Sequence, residues 1–216
     1  MKITNIVKSH PKKCIFAFAI TSFAFVHLNE GYRQDILRRE LCDHVKPLGS
    51  ANTGPHDRLR RLTVYLNPFA RRGNLLKDFE KDVAPFLQLS GLDVQMVYTD
   101  SDAEIRDSVT VLDPNSTDGV LIAGDDHVLQ KTVTAVLQRT DPQGSKLRKL
   151  PLGIAPLGVW NSFARRSSNC DSNLQRCFDL LTPLLKNAIK SQNVLEISSI
   201  PTPLTKDFVI TLALPS

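Results

Sequence analysis

Apolar positions fall into two regimes along the chain. Between Cys14 and Leu28 they run almost unbroken, as Cys14-Ile-Phe-Ala-Phe-Ala-Ile-Thr-Ser-Phe-Ala-Phe-Val-His-Leu28. Beyond residue 61 they come instead in short bursts separated by helix-spaced patterns. Leu62-Thr-Val-Tyr-Leu66 is a compact run that stops at Asn67-Pro68, and from Gly73 onward Leu75, Leu76, Phe79, Val83, Phe86 and Leu87 recur on one helical face. The same unit repeats. Strands are predicted at 92–98, 119–123 and 152–155, and helices at 103–112, 128–137, near 160–166 and at 174–190, with a last strand at 206–214. Alternation at this spacing predicts an α/β fold, a three-layer domain whose parallel sheet is covered by helices on both faces. Ligands then bind at the carboxyl ends of the strands. The loops after Leu66, Ala123 and Ala155 are therefore the places to look for chemistry.

Residues 1–29 contain no acidic side chain, and Lys2, Lys8, Lys12 and Lys13 precede the apolar run. Residues 1–30 read as a basic, apolar targeting or membrane-anchor segment. Its 15 apolar-run residues would extend about 22 Å as a helix, against a hydrocarbon thickness of roughly 30 Å, so spanning would need snorkelling lysines and local thinning. A cleaved secretory signal and a buried or interfacial helix are the competing readings. Residues 31–61 read as a short helix around 34–45 followed by a linker rich in Pro47, Gly49, Ser50, Asn52, Gly54 and Pro55. Residues 62–216 are the α/β domain.

Composition narrows the choice. With 42% hydrophobic and 23% charged residues in 216, the chain has enough apolar material for one sizeable core. The net charge of +5 is concentrated before the middle of the chain, which suits an anionic membrane surface or a phosphate ligand. No nucleic-acid partner is expected, since no reading helix, zinc finger or aromatic-basic sheet pattern is present. Cys14, Cys42, Cys170 and Cys177 form no CxxC pair, which argues against zinc and against a disulfide framework. His10, His27, His44 and His56 read as solvated or boundary residues, and only His127 falls in a loop of interest.

The loop after the first strand reads Asn67-Pro68-Phe69-Ala70-Arg71-Arg72-Gly73 and ends where a helix begins. Backbone N–H groups at a helix start favour an anion, and Arg71 and Arg72 would add charge, although an ordinary strand-to-helix turn needs the same Asn-Pro and Gly. The loop after the third strand, Gly124-Asp125-Asp126-His127-Val128, carries more information. Together with Ile122-Ala123, Leu129-Gln130, Val133-Thr134, Val136-Leu137 and Arg139-Thr140-Asp141 it resembles the acylglycerol kinases, relatives of the diacylglycerol and sphingosine kinases. Leu66-Asn67-Pro68, the stretch from Ala84-Pro85 to Asp93-Val94, Thr99-Asp100, Pro151-Leu-Gly153 and Pro156-Leu157-Gly158 match the same family in order.

That resemblance implies transfer of the γ-phosphoryl of ATP to a lipid hydroxyl with Mg, the lipid being a monoacylglycerol or diacylglycerol or a related lipid such as ceramide or sphingosine. It implies nucleotide contacts at Asn67, Thr99, Gly124, Asp125, Asp126, His127 and Val128, with Gly158 and Asn161 kept in the loop after the fourth strand, and Asp126 as a candidate ligand for Mg. It further implies mitochondrial location, at the inner membrane or in the intermembrane space, and a β-rich C-terminal domain, expected to hold the catalytic base, that this chain lacks. Two readings stay open: a lipid kinase, or a catalytically inactive pseudokinase or subunit of a mitochondrial carrier-import complex.

The departures from the family concern its Gly-Gly-Asp-Gly-Thr loop, where this chain has Gly124-Asp125-Asp126-His127-Val128. A side chain where backbone must approach phosphate costs on the order of 1–3 kcal/mol. A carboxylate ~4 Å from a phosphate oxygen adds about 4 kcal/mol of repulsion at an effective dielectric of ~20. Decay of the parent loop explains Asp125-Asp126-His127 better than a new acid/base or metal trio.

Overall fold

The computed structural model describes residues 11–52, 58–139, 142–188, 190–194 and 208–212. Lys2, Lys8, His10, Gly54, Pro55, His56, Thr140, Asp141 and the ends of the last predicted strand lie outside the described residues. The chain divides into two compact units, with the boundary between Glu40 and Leu41.

Helix α1 runs from Pro11 to Asn52 and belongs to both units. In the first unit Ile15, Phe16, Phe18, Ile20, Phe23, Phe25, Val26 and Leu28 are all exposed. Among the described residues no helix is long and apolar enough to cross a membrane. In the second unit Leu41, Val45 and Gly49 share a face at i, i+4 and i+8 and are buried. A Cβ at Gly49 would collide with the carbonyl oxygen of Leu89, so the missing side chain lets the helix lie directly on that backbone. This packing corrects the expected linker: the helix continues through Pro47, because burying Leu41 and Val45 outweighs the one backbone bond a proline removes.

The second unit is built on one sheet with the order β2-β1-β3-β4-β6-β5. Strands β1 (Arg61–Leu66), β2 (Asp93–Tyr98), β3 (Gly119–Gly124) and β4 (Leu152–Pro156) are parallel, as predicted. β6 (Phe208–Leu212) joins β4 in parallel, whereas β5 (Lys190–Val194) pairs antiparallel with β6, so the sheet is mixed at that edge. Helices α2 (Asn74–Asp82) and α3 (Ala84–Leu89) follow β1, and α4 (Asp102–Val111) follows β2. Next come α5 (Asp126–Gln138) and α6 (Pro142–Leu147) after β3, then α7 (Ser162–Ser167) and α8 (Asn173–Leu185) after β4. The helix expected at 174–190 stops early. Asn187 takes the left-handed conformation at φ 55, which asparagine tolerates better than most residues, and the chain leaves as strand.

Alternate positions of each strand feed opposite faces. Tyr65, Val120 and Ile122 pack with Ile105 and Val109 of α4 and Val128 and Val136 of α5. On the other face Phe86 of α3 meets Phe178 of α8 edge-to-face at 5.5 Å. A Cβ at Gly153 would lie 2.9 Å from Leu184, so glycine there seats α8 on β4. Each fully buried Leu, Ile or Phe contributes about 1.5–3 kcal/mol, and this core fixes the strand register that aligns the loops.

Candidate functional site

Register brings the three loops of interest to one edge. Leu66 pairs with Ala123, and Gly124 pairs with Pro156, so the chain leaves β1, β3 and β4 side by side. Thr99 follows at the end of β2, where Tyr98 pairs with Leu66. Asn67, Thr99, Gly124 to Val128, Gly158 and Asn161 are thus neighbours in space, but most of their polar groups are already bonded within the chain.

The loop after β1 closes on itself. Asn67, 8% exposed, accepts the Phe69 N–H on its Oδ1 at 3.0 Å, an Asx turn. Thr99, also buried, donates its N–H to the Leu66 carbonyl at 3.1 Å and directs its hydroxyl to the same oxygen at 3.5 Å. Arg71 stands at φ 53, a left-handed conformation costing an arginine on the order of 1 kcal/mol. Its Nη1 donates to the Leu157 carbonyl at 2.7 Å and to Asp78 Oδ2 at 2.6 Å. Expected to add charge for an anion, Arg71 instead straps the first loop to the loop after β4. The side chain of Arg72 lies outside the described residues.

The loop after β3 is organised by its two carboxylates. Asp125 is the N-cap of α5, and its Oδ1 accepts the N–H groups of His127 at 3.1 Å and Val128 at 3.2 Å. Asp126 turns away and accepts Ser162 N–H on Oδ2 at 2.6 Å and Phe163 N–H at 3.2 and 3.3 Å, capping the start of α7. Its own N–H donates to the Trp160 carbonyl at 2.9 Å. Gly158 donates its N–H to the Gly124 carbonyl at 3.0 Å, and a Cβ on it would stand 2.7 Å from both Cα and N of Asp125. Only glycine fits that elbow. Val128 is predominantly core, with its side chain buried against α4, while His127 is exposed. Asn161 staples the last loop, its Nδ2 donating to the carbonyls of Pro156 at 3.0 Å and Gly158 at 2.8 Å. Its Oδ1 is buried with no partner among the described residues, an acceptor that suits an ordered water or a ligand N–H or O–H.

Comparison with known proteins gives this edge its context. The diacylglycerol kinase catalytic domain matches residues 61–197, from the first strand past the last of these loops. The chain belongs to that family. It is 31% identical over 192 residues to mouse mitochondrial acylglycerol kinase and 30% identical over 192 residues to the human one. Those alignments cover 88% of this chain and 45% and 44% of the relatives, so the chain spans a little under half their length. Sphingosine kinase 1 of Arabidopsis thaliana is 26% identical over 137 residues, 62% of this chain and 28% of that protein. These likenesses support a lipid-kinase family and, through it, ATP as the family's phosphoryl donor.

The groups that the diacylglycerol kinase family implies do not fit the closed edge. A helix start binds phosphate through unbonded N–H groups, and on α5 those of His127 and Val128 are taken by Asp125. The carboxylate therefore holds the N–H groups that an anion at this helix start would use. For Mg, both oxygens of Asp126 are engaged on α7, and among the described residues no three His, Cys, Asp or Glu side chains are grouped to hold a metal ion. Sequence reasoning missed these capping roles, although an Asp directly before a helix pattern is itself an N-cap signal. It also missed the Gly158 elbow, a contact between loops 33 positions apart that only the fold creates.

Proposed function

We propose that this chain is the nucleotide-side domain of an acylglycerol-kinase-type protein at a mitochondrial membrane, facing the inner membrane or intermembrane space. Its reaction class is ATP- and Mg-dependent phosphorylation of monoacylglycerol or diacylglycerol. The observation carrying this reading is the convergence of the β1, β3 and β4 loops in the family's order at one sheet edge. The Asp125 cap makes the form described here phosphate-closed, and transfer by it slow. Membrane attachment falls to the exposed apolar stretch of α1, which Lys12 precedes and Arg33 follows.

A second reading, a catalytically silent member acting as a subunit of a membrane assembly such as a carrier-import complex, is favoured by the engagement of both carboxylates as helix caps. Labelled ATP with magnesium and dispersed monoacylglycerol, diacylglycerol, sphingosine or ceramide separates the two. The kinase reading expects labelling of the acylglycerols once this chain is joined to the C-terminal half of an acylglycerol kinase, raised in Asp125→Gly. Absence of labelled lipid in both folded fusions would leave only the silent reading.

A further inference from the structure

The sheet edge that carries the loops also carries exposed apolar side chains. Trp160 is 72% exposed, Val159 62% and Phe69 67%. They belong to adjacent loops, because Arg71, two residues past Phe69, bonds the carbonyl of Leu157, two residues before Val159. Single exposed hydrophobic residues are common on protein surfaces. Here, however, they flank the one edge at which the domain would meet a lipid, and each sits on a turn held by internal bonds. The Trp160 carbonyl receives the Asp126 N–H at 2.9 Å, and the following Asn161 is stapled to Pro156 and Gly158. A tryptophan on a fixed turn loses little freedom on contact.

Charge says what covers them. Helix α7 begins two residues after Trp160 and carries Arg165 and Arg166, both exposed, in its last turn. Of the acidic groups at the same edge, Asp125 and Asp126 point their carboxylates onto backbone N–H groups of α5 and α7, and the exposed Asp100 lies at the β2 end, separated from β4 by β1 and β3. Outward-facing charge on α7 is therefore positive, next to apolar tips. Aromatic and aliphatic tips beside arginines match the interface of an anionic bilayer, where tryptophan settles at headgroup level and each basic residue gains from the surface potential.

We propose that the Phe69, Val159 and Trp160 tips, with Arg165 and Arg166, form a bilayer-facing surface that sets the loop edge of the domain on anionic lipid. This rests on the reading that the domain meets its lipid at a membrane, and it assigns the contact to the α/β domain itself as well as to α1. Trp160 is the sole tryptophan of the chain, so its fluorescence reports this surface and not the helix. With vesicles of phosphatidylcholine and phosphatidylserine, emission of the full chain should shift to the blue and be quenched by lipids brominated on the acyl chain. Arg165→Glu together with Arg166→Glu should weaken the transition by at least about tenfold. Vesicle binding with unmoved emission overturns the proposal, since α1 alone then holds the membrane. So does an equal shift on phosphatidylcholine alone, or full retention in the double variant. Because no step reads phosphoryl transfer, a chain that binds through Trp160 yet labels no lipid fails the kinase reading and not this one.

Discussion

Two strand-to-helix loops lie side by side at one sheet edge and close by opposite chemistry. After β1 the turn is held by a neutral amide, Asn67 on Phe69, and by the strap from Arg71 to Leu157. After β3 it is held by carboxylates, Asp125 on His127 and Val128, and Asp126 on Ser162 and Phe163. Both loops satisfy their own backbone, but only the second leaves a full negative charge at the start of a long helix. A helix start is an anion site only while its donors are unbonded. The residue just before it decides whether the anion is a ligand or the chain's own side chain.

The largest expected effect comes from breaking the junction behind the charged loop. Gly158→Ala drives a Cβ against Asp125, and backbone must move to admit it; a loss of about 3 kcal/mol in urea unfolding is expected. A loss below about 1 kcal/mol would mean the elbow is loose and the contrast between the loops overstated. Next in size, Asp126→Ala removes the acceptor for two N–H groups of α7 and should cost about 1–2 kcal/mol. Asp125→Asn should cost at most about 1 kcal/mol, because asparagine caps as well as aspartate and only the charge–dipole part is lost.

Much of this was legible in the sequence. The four parallel strands and the helices after them followed from apolar periodicity, because β3 and β4 are short and wholly apolar, β1 and β2 are short and mostly so, and the helices after them carry apolar stripes. The resemblance in the 122–141 and 151–158 stretches pointed to the family that the domain match then gave. Less legible was whatever depends on side-chain direction. That Asp125 caps its own helix while Asp126, one residue on, caps another depends on where α7 starts relative to β3. Pro47 and Gly49 read as linker residues, yet Gly49 is where α1 needs no side chain in order to pack on Leu89. The left-handed Arg71 has no sequence signature.

The neutral loop yields a smaller, sharper test. Arg71→Ala keeps the left-handed strain and loses both arginine bonds, whereas Arg71→Gly loses the bonds but relieves the strain, so glycine should be the more stable of the pair by about 1 kcal/mol. Equal stabilities would mean that φ relaxes on removing the strap. Smallest of all is a control at the other end of β3. Burial pushes the Asp118 carboxyl up, but the Arg61 N–H and the Arg58 and Arg61 guanidinium groups together hold it below the ordinary 3.8. A depressed folded value means its stabilisation is present above pH 3.8 and is lost as pH falls below that value toward the folded one. Asp118 is 37% exposed, so solvent screening limits the difference between the protein and Asp118→Asn to a few tenths of a kcal/mol at neutral pH. It should vanish on strong acidification, and a difference that grew instead would contradict the assigned partners.

Backbone amide resonances followed during addition of ATP and magnesium test the central claim, that Asp125 holds the N–H groups that an anion at the α5 start would use. In the native protein the His127 and Val128 signals should stay in place across the titration. In Asp125→Gly the same two should move saturably, because their N–H groups are released for phosphate. Saturable movement of His127 and Val128 in the native protein would contradict the account, since those donors would then be available to nucleotide with the carboxylate still present.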